Sequence, residues 1–358
     1  MSNVTNQLKK HFQPYIQSIK DGNYSSFMEY QNQDNHLFYI EQSRWFKEII
    51  HQSSNRFIFK PKIKAITLDN KRQGLMDFQL TIKRPSGRVK ELSCTYQIKK
   101  YDTWKINDLP FLCVQTQYAS IYYLNDQEEI INEIKIYIDQ IIKLYKETFN
   151  WNSKMVVIKL YSKLEQISVT IPHFSIYGWN EANESIKIAI PHYLHQRDRK
   201  QHVFNVLSHE IAHTLLSQLT NDNAALFLQE GLAIYLEKSI EFSSGKTAFY
   251  SQGIDTLVKK TFREEGSLLS LKELSELDYY SGRTLYNQSF LFVNFLISLY
   301  GLEAFITLCK KLKNYPYINS RVEHKIDNLS FRSFIAIKRT YGSEKFNQDL
   351  EVFYKKSL

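Results

Sequence analysis

The chain has 358 residues, of which 43% are apolar and 14% aromatic, a composition typical of a folded protein with room for two domains. This composition excludes an intrinsically disordered or low-complexity chain. The longest largely apolar run, Phe290 to Tyr300, is too short to span a bilayer, and the N-terminus lacks the apolar segment of a secretory signal. Three widely spaced cysteines without a C-x-x-C pair are typical of a reducing compartment, so we expect a cytoplasmic protein with no transmembrane segment.

The net charge of +9 is concentrated in the first third of the chain. Residues 1–112 contain 18 Lys and Arg against 10 Asp and Glu, a difference of +8. Residues 113–358 contain 28 against 27, a difference of +1. This asymmetry predicts two parts with different roles.

The first part is predicted to consist of helices followed by a sheet. Up to about residue 53, apolar residues recur at three- and four-residue intervals, which predicts helices. Four short alternating runs follow between Arg56 and Asp108, separated by the turn sequences DNKRQG and RPSG. They predict four antiparallel strands joined by hairpins, and hence an α+β domain with a curled antiparallel sheet. This order of elements resembles the nuclear-transport-factor-like, cystatin-like fold of accessory modules.

A row of lysines marks the first of these strands. Lys60, Lys62 and Lys64 alternate in sequence, so they share one face of the predicted sheet. Lysines commonly protect the open edge of an antiparallel sheet, and Pro61 is typical of an edge strand. The alternative is a surface that attracts an acidic protein, an acidic membrane surface or nucleic acid. We do not expect nucleic acid, because no aromatic-rich binding signature accompanies the charge.

The second part alternates between helix and strand before it becomes helical. Its first predicted elements are a helix over residues 125–149, a strand over 155–161 and two alternating runs around a polar turn over 174–190. Beyond Pro191 the periodicity predicts helices alone. We place the boundary within residues 101–117 and assign residues 1–112 and 113–358 to the two domains.

The segment HEIAH, residues 209–213, lies in a run with helical spacing of its apolar residues. On a helix, His209 and His213 lie on one face and can meet at a point about 2 Å from each imidazole, as two zinc ligands require. Glu210 lies about 100° around the helix, off the metal but within reach of a water beside it. A buried helix whose histidines are hydrogen-bonded is the alternative.

A second predicted helix contains the sequence QEGLAIYLE, residues 229–237. A short turn makes the two helices antiparallel, so Glu230 can lie opposite the histidines, and Gly231 leaves room for close approach of the helices. Because catalytic zinc takes three protein ligands, this carboxylate favours the metal site. Glu237 lies on the same face, where it either orients a ligand histidine or is a solvated charge.

HEIAH followed by QEGLAIYLE resembles the gluzincin metallopeptidases, most closely the peptidase MA-like group related to aminopeptidase N. The resemblance implies that His209, His213 and Glu230 bind a Zn²⁺ cofactor and that Glu210 is the general base. It also implies a thermolysin-like zincin domain over residues 113–358, with a small mixed sheet, an active-site helix pair and a helical C-terminal part. Only 16 residues separate His213 from Glu230, fewer than in that family, which predicts a shortened turn.

The sequence YNQSFLFVNFL, which begins at Tyr286, resembles the helix that follows the metal site in that family. Such a helix places a tyrosine hydroxyl at the substrate oxygen, where it stabilises the oxyanion. The resemblance therefore gives this role to Tyr286, with Tyr279 and Tyr280 as alternatives.

The segment before the HEIAH helix resembles the wall of a zincin cleft. The strand SIKIAI, residues 185–190, is expected to be the sheet edge, which can bind an extended peptide as an added strand. No G-x-M-E-N element for a free amino terminus is present in the sequence. Glu181 or Glu184 is the candidate for that role.

We therefore expect a zinc-dependent peptidase that hydrolyses a peptide or protein substrate through a metal-activated water. Glu210 is expected to be the general base and Tyr286 the oxyanion stabiliser. The alternative is a catalytically inactive metal-binding protein that acts as a binding or regulatory module through its basic N-terminal domain. Cleavage within a chain and cleavage from an end both stay open.

Overall fold

The fold combines α-helices with β-sheets, as the predicted α+β class requires. The computed structural model describes residues 2–171, 178–190, 196–243, 246–249, 252–318 and 325–357. Within them the buried apolar side chains form two clusters, one around the N-terminal sheet and one around the helices of the second part.

The N-terminal part consists of four helices and a curled four-stranded antiparallel sheet, which confirms the predicted order. The elements are α1 Ser2–His11, α2 Gln13–Asp21, α3 Tyr24–Glu29, α4 His36–Ser54, β1 Ile58–Leu68, β2 Gln73–Lys83, β3 Val89–Lys100 and β4 Trp104–Ile106. Alternate residues such as Met76 and Phe78 of β2 are buried among the apolar helix residues. Lys60, Lys62 and Lys64 are exposed on β1, which lies at an edge of this sheet.

A five-stranded mixed sheet follows. Its elements, with the helices between them, are β5 Leu112–Gln115, β6 Ala119–Tyr123, α5 Glu128–Phe149, β7 Val156–Tyr161, α6 Leu164–Ile167, β8 Gly178–Trp179 and β9 Ile186–Ala189. The strand order is β5-β6-β7-β9-β8, in which β6, β7 and β9 are parallel and the two outer strands are antiparallel. α5 connects β6 to β7 and buries Ile134, Ile138 and Ile141, which recur at helical spacing. β5 and β6 are additional to the predicted elements.

The strand predicted to be the sheet edge is internal, so that expectation is wrong. β9 lies between β7 and β8, and all of its residues are buried. The edge is formed by Gly178 and Trp179 of β8, which are partly exposed. A two-residue strand shows no alternation in the sequence, so only its pairing with Lys187 and Ile188 of β9 defines it. Residues 174–177 of the predicted run lie outside the described residues.

The described residues after β9 are helical except for one hairpin and short turns. Their elements are α7 Gln196–Thr220, α8 Leu226–Ser239, β10 Ile240–Ser243, β11 Lys246–Phe249, α9 Gln252–Glu265, α10 Leu271–Glu276, α11 Arg283–Tyr300, α12 Leu302–Lys313, α13 Lys325–Tyr341 and α14 Ser343–Ser357. The antiparallel pair β10 and β11 contradicts the prediction of helices alone beyond Pro191. No single helix in the described ranges is long and apolar enough to cross a membrane, and only the pair α11 and α12, bent by 116°, meets those criteria together.

Gly231 permits a close approach of α8 to α11, whereas the sequence predicts the close approach between α7 and α8. A Cβ at this position would lie 2.3 Å from the carbonyl oxygen of Ser289 and 2.5 Å from Cγ2 of Val293. Because both α11 atoms belong to a buried helix, any larger residue would push α8 away from it. Gly231 therefore fixes the position of the neighbouring Glu230.

The N-terminal part and the mixed sheet share buried contacts. The indole Nε1 of Trp45 on α4 donates to the carbonyl oxygen of Ser168 at 3.2 Å. Gln42, one turn earlier, donates to the carbonyl oxygen of Val169 at 3.2 Å. Tyr161 of β7 belongs to the same apolar cluster as the N-terminal helices. The two parts are thus packed against one another.

Candidate metal centre

Two helices joined by a tight turn position the predicted ligands. α7 ends at Thr220 and α8 begins at Leu226. Between them, Asn221 and Asp222 adopt left-handed backbone conformations with φ of 53° and 57°, which asparagine and aspartate tolerate better than most residues. The side chain of Asn223 donates to the carbonyl oxygen of Thr220 at 3.1 Å and so satisfies one group at the end of α7. This turn returns the chain along α7, in agreement with the predicted short connection.

α7 is anchored to the core at the residue that precedes His209. The hydroxyl of Tyr145 on α5 lies 2.8 Å from Oγ of Ser208 and donates to the Ser208 carbonyl oxygen at 3.1 Å. Both residues are fully buried. Because Ser208 immediately precedes His209, these bonds fix the turn of α7 from which the first histidine projects.

His209, His213 and Glu230 come together at one point. The Nε2 atoms of the two histidines are 3.2 Å apart, and Oε2 of Glu230 lies 3.5 Å from His209 Nε2 and 3.8 Å from His213 Nε2. Ligand atoms about 2.0–2.1 Å from a tetrahedral zinc ion lie about 3.3–3.4 Å from one another. The three edges fit that spacing, so the three residues could hold a metal ion.

The contacts of Glu230 and His209 favour a cation at the centre of the triangle. Oε2 of Glu230 is buried and has no hydrogen-bond partner, although a buried carboxylate oxygen normally has one. His209 Nδ1 lies 3.1 Å from Oε2 of Glu237, so an N–H on Nδ1 donates to that carboxylate and directs Nε2 into the triangle, where a cation would replace the proton on Nε2. This is the geometry of a carboxylate that orients a ligand histidine, one of the two roles considered for Glu237.

The electrostatics of the site favour positive charge between the histidines. Burial alone would lower the pKa of His209, but the nearby carboxylates of Glu230 and Glu237 raise that pKa to about 10. Burial lowers the pKa of His213 to about 4, which keeps that imidazole neutral, as a ligand must be. Two imidazoles thus face three carboxylates, those of Glu210, Glu230 and Glu237, a donor set that suits a divalent cation.

Glu210 lies beside the triangle and is not one of its members. Its carboxylate packs directly on the edge strand β8, since a Cβ at Gly178 would lie 2.1 Å from Glu210 Oε1. Burial raises the pKa of Glu210 to about 8, and the nearby carboxylates of Glu230 and Glu237 act in the same direction, against His209. A carboxyl group with this pKa can take up and release a proton near neutral pH.

Asn180 ties the end of β8 to α7. Its side-chain Nδ2 donates to the carbonyl oxygen of Glu210 at 3.2 Å and also to the hydroxyl of Thr214. Neither Gly178 nor Asn180 carries a signal in the sequence. Both have a place at the site only because β8 pairs with β9.

Two tyrosines from the region of α11 reach the site. The hydroxyl of Tyr279, in a short 3-10 turn before α11, donates to Oε1 of Glu230 at 3.2 Å. Tyr286 lies on the first turn of α11, 38% exposed, and its pKa is raised to about 12 by burial and by the nearby carboxylates of Glu230 and Glu210. The structure therefore brings both Tyr286 and its alternative Tyr279 to the site. The side chain of Tyr280 lies outside the described residues.

Glu181 and Glu184, the candidates for holding a substrate amino group, have partners of their own. Both contact Arg44 of α4, and Glu184 also contacts Lys187 at 2.7 Å. Their charges are thus paired with cations of the protein itself. Arg44 has no signal in the sequence, because 136 residues separate it from Glu181.

No protein-family model matches the chain, and a search of curated proteins finds no similar sequence.

Proposed function

We propose that the chain is a zinc-dependent peptidase of the gluzincin type, with a thermolysin-like domain in residues 113–358. The observation that carries the proposal is the triangle of His209, His213 and Glu230, with edges of 3.2, 3.5 and 3.8 Å. The domain assignment is supported by three features of the fold: a mixed sheet with an antiparallel edge, the pair of helices that follows it and a helical remainder.

The donor atoms favour zinc over other cations. Calcium and magnesium prefer oxygen ligands, whereas two imidazoles and one carboxylate are a common set for catalytic zinc. The unpartnered Oε2 of Glu230 and the neutral His213 can bind a cation once the proton between the two histidine Nε2 atoms is released. In this position Zn²⁺ would lower the pKa of a water ligand to about 7 and polarise the substrate carbonyl.

Glu210 moves the proton. It accepts the proton of the attacking water and passes it to the amine that leaves, so one carboxylate serves both steps. Burial raises the pKa of Glu210, and a divalent cation at the triangle would lower it again, so the carboxylate would be ionised and able to accept the proton.

The edge strand and the tyrosines complete the site. The open edge of β8 can pair with an extended peptide, which would place its main chain beside Glu210. The hydroxyl of Tyr286 donates a hydrogen bond to the carbonyl oxygen of the substrate as negative charge develops on that oxygen. Tyr279 holds the Glu230 carboxylate in place through its bond to Oε1.

The alternative of an inactive metal-binding module is less well supported. A structural zinc site usually has four protein ligands and no base. Among the described residues the group at this site has three ligand residues, and Glu210 lies next to it. This set favours a catalytic site over a structural one.

The test separates the ligands from the base. We expect Glu210→Gln to keep about one zinc per chain while cleavage of a peptide library falls below detection, and His209→Ala to lose both. Glu241→Gln, an exposed glutamate on β10, is the matched control and should behave as the wild type. Loss of zinc from Glu210→Gln, or cleavage that persists in Glu210→Gln or in the presence of a chelator, would overturn the proposal.

A further inference from the structure

The turn that joins β8 to β9, residues 180–185, is held from two sides. On the side of the metal centre, Asn180 binds the main chain of α7 at Glu210. On the other side, the turn contacts α4 of the N-terminal part. β8, whose Gly178 packs against Glu210, therefore lies between two fixed elements.

Arg44 makes the contact with α4. Its Nη1 lies 2.7 Å from Oε2 of Glu181, and its Nε lies 3.3 Å from Oε1 of Glu184. One guanidinium thus forms ion pairs with both ends of the turn, two contacts that a single lysine ammonium could not make from the same position. Nη1 makes no hydrogen bond, so its contact with Glu181 is purely electrostatic. The side chain of Glu184 is 2% exposed, so its charge depends on these partners.

The contact continues into the mixed sheet. Lys187 Nζ of β9 lies 2.7 Å from Glu184 Oε2 and 3.4 Å from Oε1 of Glu41, one turn before Arg44 on α4. Oε2 of Glu41 lies 2.6 Å from Lys159 of β7. Burial would raise the pKa of Glu41, but the two ammonium groups lower it to about 2. Buried charges are costly unless each stays paired, so α4 cannot slide along the sheet without breaking this chain of ion pairs.

We infer that Arg44 is a positioning residue for substrate binding, through which α4 fixes the edge strand β8 over Glu210. The inference rests on the proposed peptidase function. It makes the N-terminal part a component of the substrate-binding apparatus, although Arg44 touches neither a metal ligand nor Glu210. Loss of the guanidinium would loosen β8 and leave the metal triangle intact.

The experiment uses the full chain and two readouts. In Arg44→Met, which keeps the apolar stem, we expect amide hydrogen exchange in residues 178–190 to be about tenfold faster. Exchange in residues 209–220 and zinc content should stay as in the wild type. The KM for a peptide substrate should rise about tenfold with kcat nearly unchanged, because binding is weakened and the chemistry is not.

Three further variants sharpen the comparison. Arg88→Met removes an exposed arginine of the same N-terminal part and should change nothing. Glu181→Gln removes the more exposed partner of Arg44 and should loosen the same segment to a smaller extent. Arg44→Lys keeps the charge but can hold only one glutamate, so its KM should lie between the wild type and Arg44→Met.

Two outcomes would overturn the inference. One is an Arg44→Met variant with unchanged exchange in residues 178–190 and unchanged KM. The other is faster exchange throughout the N-terminal part with loss of zinc, which would show that Arg44 only stabilises the fold. If the wild type cleaves no peptide, the proposed function fails, and the exchange contrast still decides whether Arg44 holds β8.

Discussion

Replacing Gly178 by alanine should impair catalysis without disturbing the metal centre. The added Cβ would lie 2.1 Å from Oε1, 2.6 Å from Cδ and 2.9 Å from Cγ of Glu210. Ordinary contact begins at 3.4 Å, so the carboxylate oxygen must move by about 1.3 Å. The obstructing atoms belong to a side chain, which can turn to another position at a strain of about 1 kcal/mol. Stability should therefore change little.

The expected loss follows from that displacement. A misplacement of a catalytic group by about 1 Å costs on the order of a hundredfold in rate. We expect kcat for peptide hydrolysis to fall by about that factor in Gly178→Ala, with zinc content at the wild-type level and the melting temperature within about 2 °C. Steady-state kinetics, elemental analysis and a thermal melt on the same preparation measure the three quantities.

A double variant shows whether the displaced carboxylate is the cause. Glu210→Asp withdraws the carboxylate from Gly178 by one methylene, so adding Gly178→Ala to it should cause little further loss of kcat. Full wild-type activity in Gly178→Ala would refute the placement of Glu210 as the base beside β8. Additive losses in the double variant would show that alanine acts through the strand instead.

Three other outcomes follow from the site and its surroundings. Tyr286→Phe should lower kcat by about a hundredfold, with zinc content and KM nearly unchanged. Tyr279→Phe removes the hydrogen-bond donor to Glu230 and should weaken zinc affinity about tenfold in a chelator competition. The reverse pattern would exchange the roles of the two tyrosines. Glu237→Gln should weaken zinc affinity by about 10- to 100-fold, because a neutral amide accepts a weaker hydrogen bond from His209 than a carboxylate does. Unchanged affinity would show that Glu237 is only a solvated charge. Because the pKa of Glu41 is about 2 instead of 4.5, its stabilisation is complete above pH 4.5 and is lost as the pH falls toward 2. Urea unfolding of Glu41→Gln should therefore show a smaller loss of unfolding free energy over this range than the wild type, and equal slopes would contradict the ion-pair chain.

The helix pair could be predicted because its signals are local. The periodicity around His209 and His213, and the spacing to Glu230, depend only on helix geometry, and these three residues do meet. The strands of the N-terminal sheet could also be predicted from the sequence, since the alternation of buried and exposed residues in β1 to β3 extends over ten residues or more.

Features that depend on tertiary pairing could not be predicted. β8 is two residues long, so its role as the sheet edge, and the packing of Gly178 on Glu210, follow only from its partner β9. The contacts of Arg44 join residues far apart in sequence. The hairpin of β10 and β11 is a different case. The sequence IEFSSGKTAF contains two alternating runs around Ser-Gly, a typical turn sequence, and this predicts a hairpin. The segment was nevertheless predicted to be helical because the sequence around it is.

The zinc content of the purified protein tests the metal centre most directly. Elemental analysis of the wild type and of His213→Ala, each dialysed against buffer that contains a weak chelator, gives the number of zinc ions per chain. We expect about one zinc per wild-type chain and less than about a tenth of that in His213→Ala, because two remaining ligands hold zinc too weakly. A wild type without zinc, or a His213→Ala variant that keeps it, would contradict the assignment of His209, His213 and Glu230 as the zinc ligands.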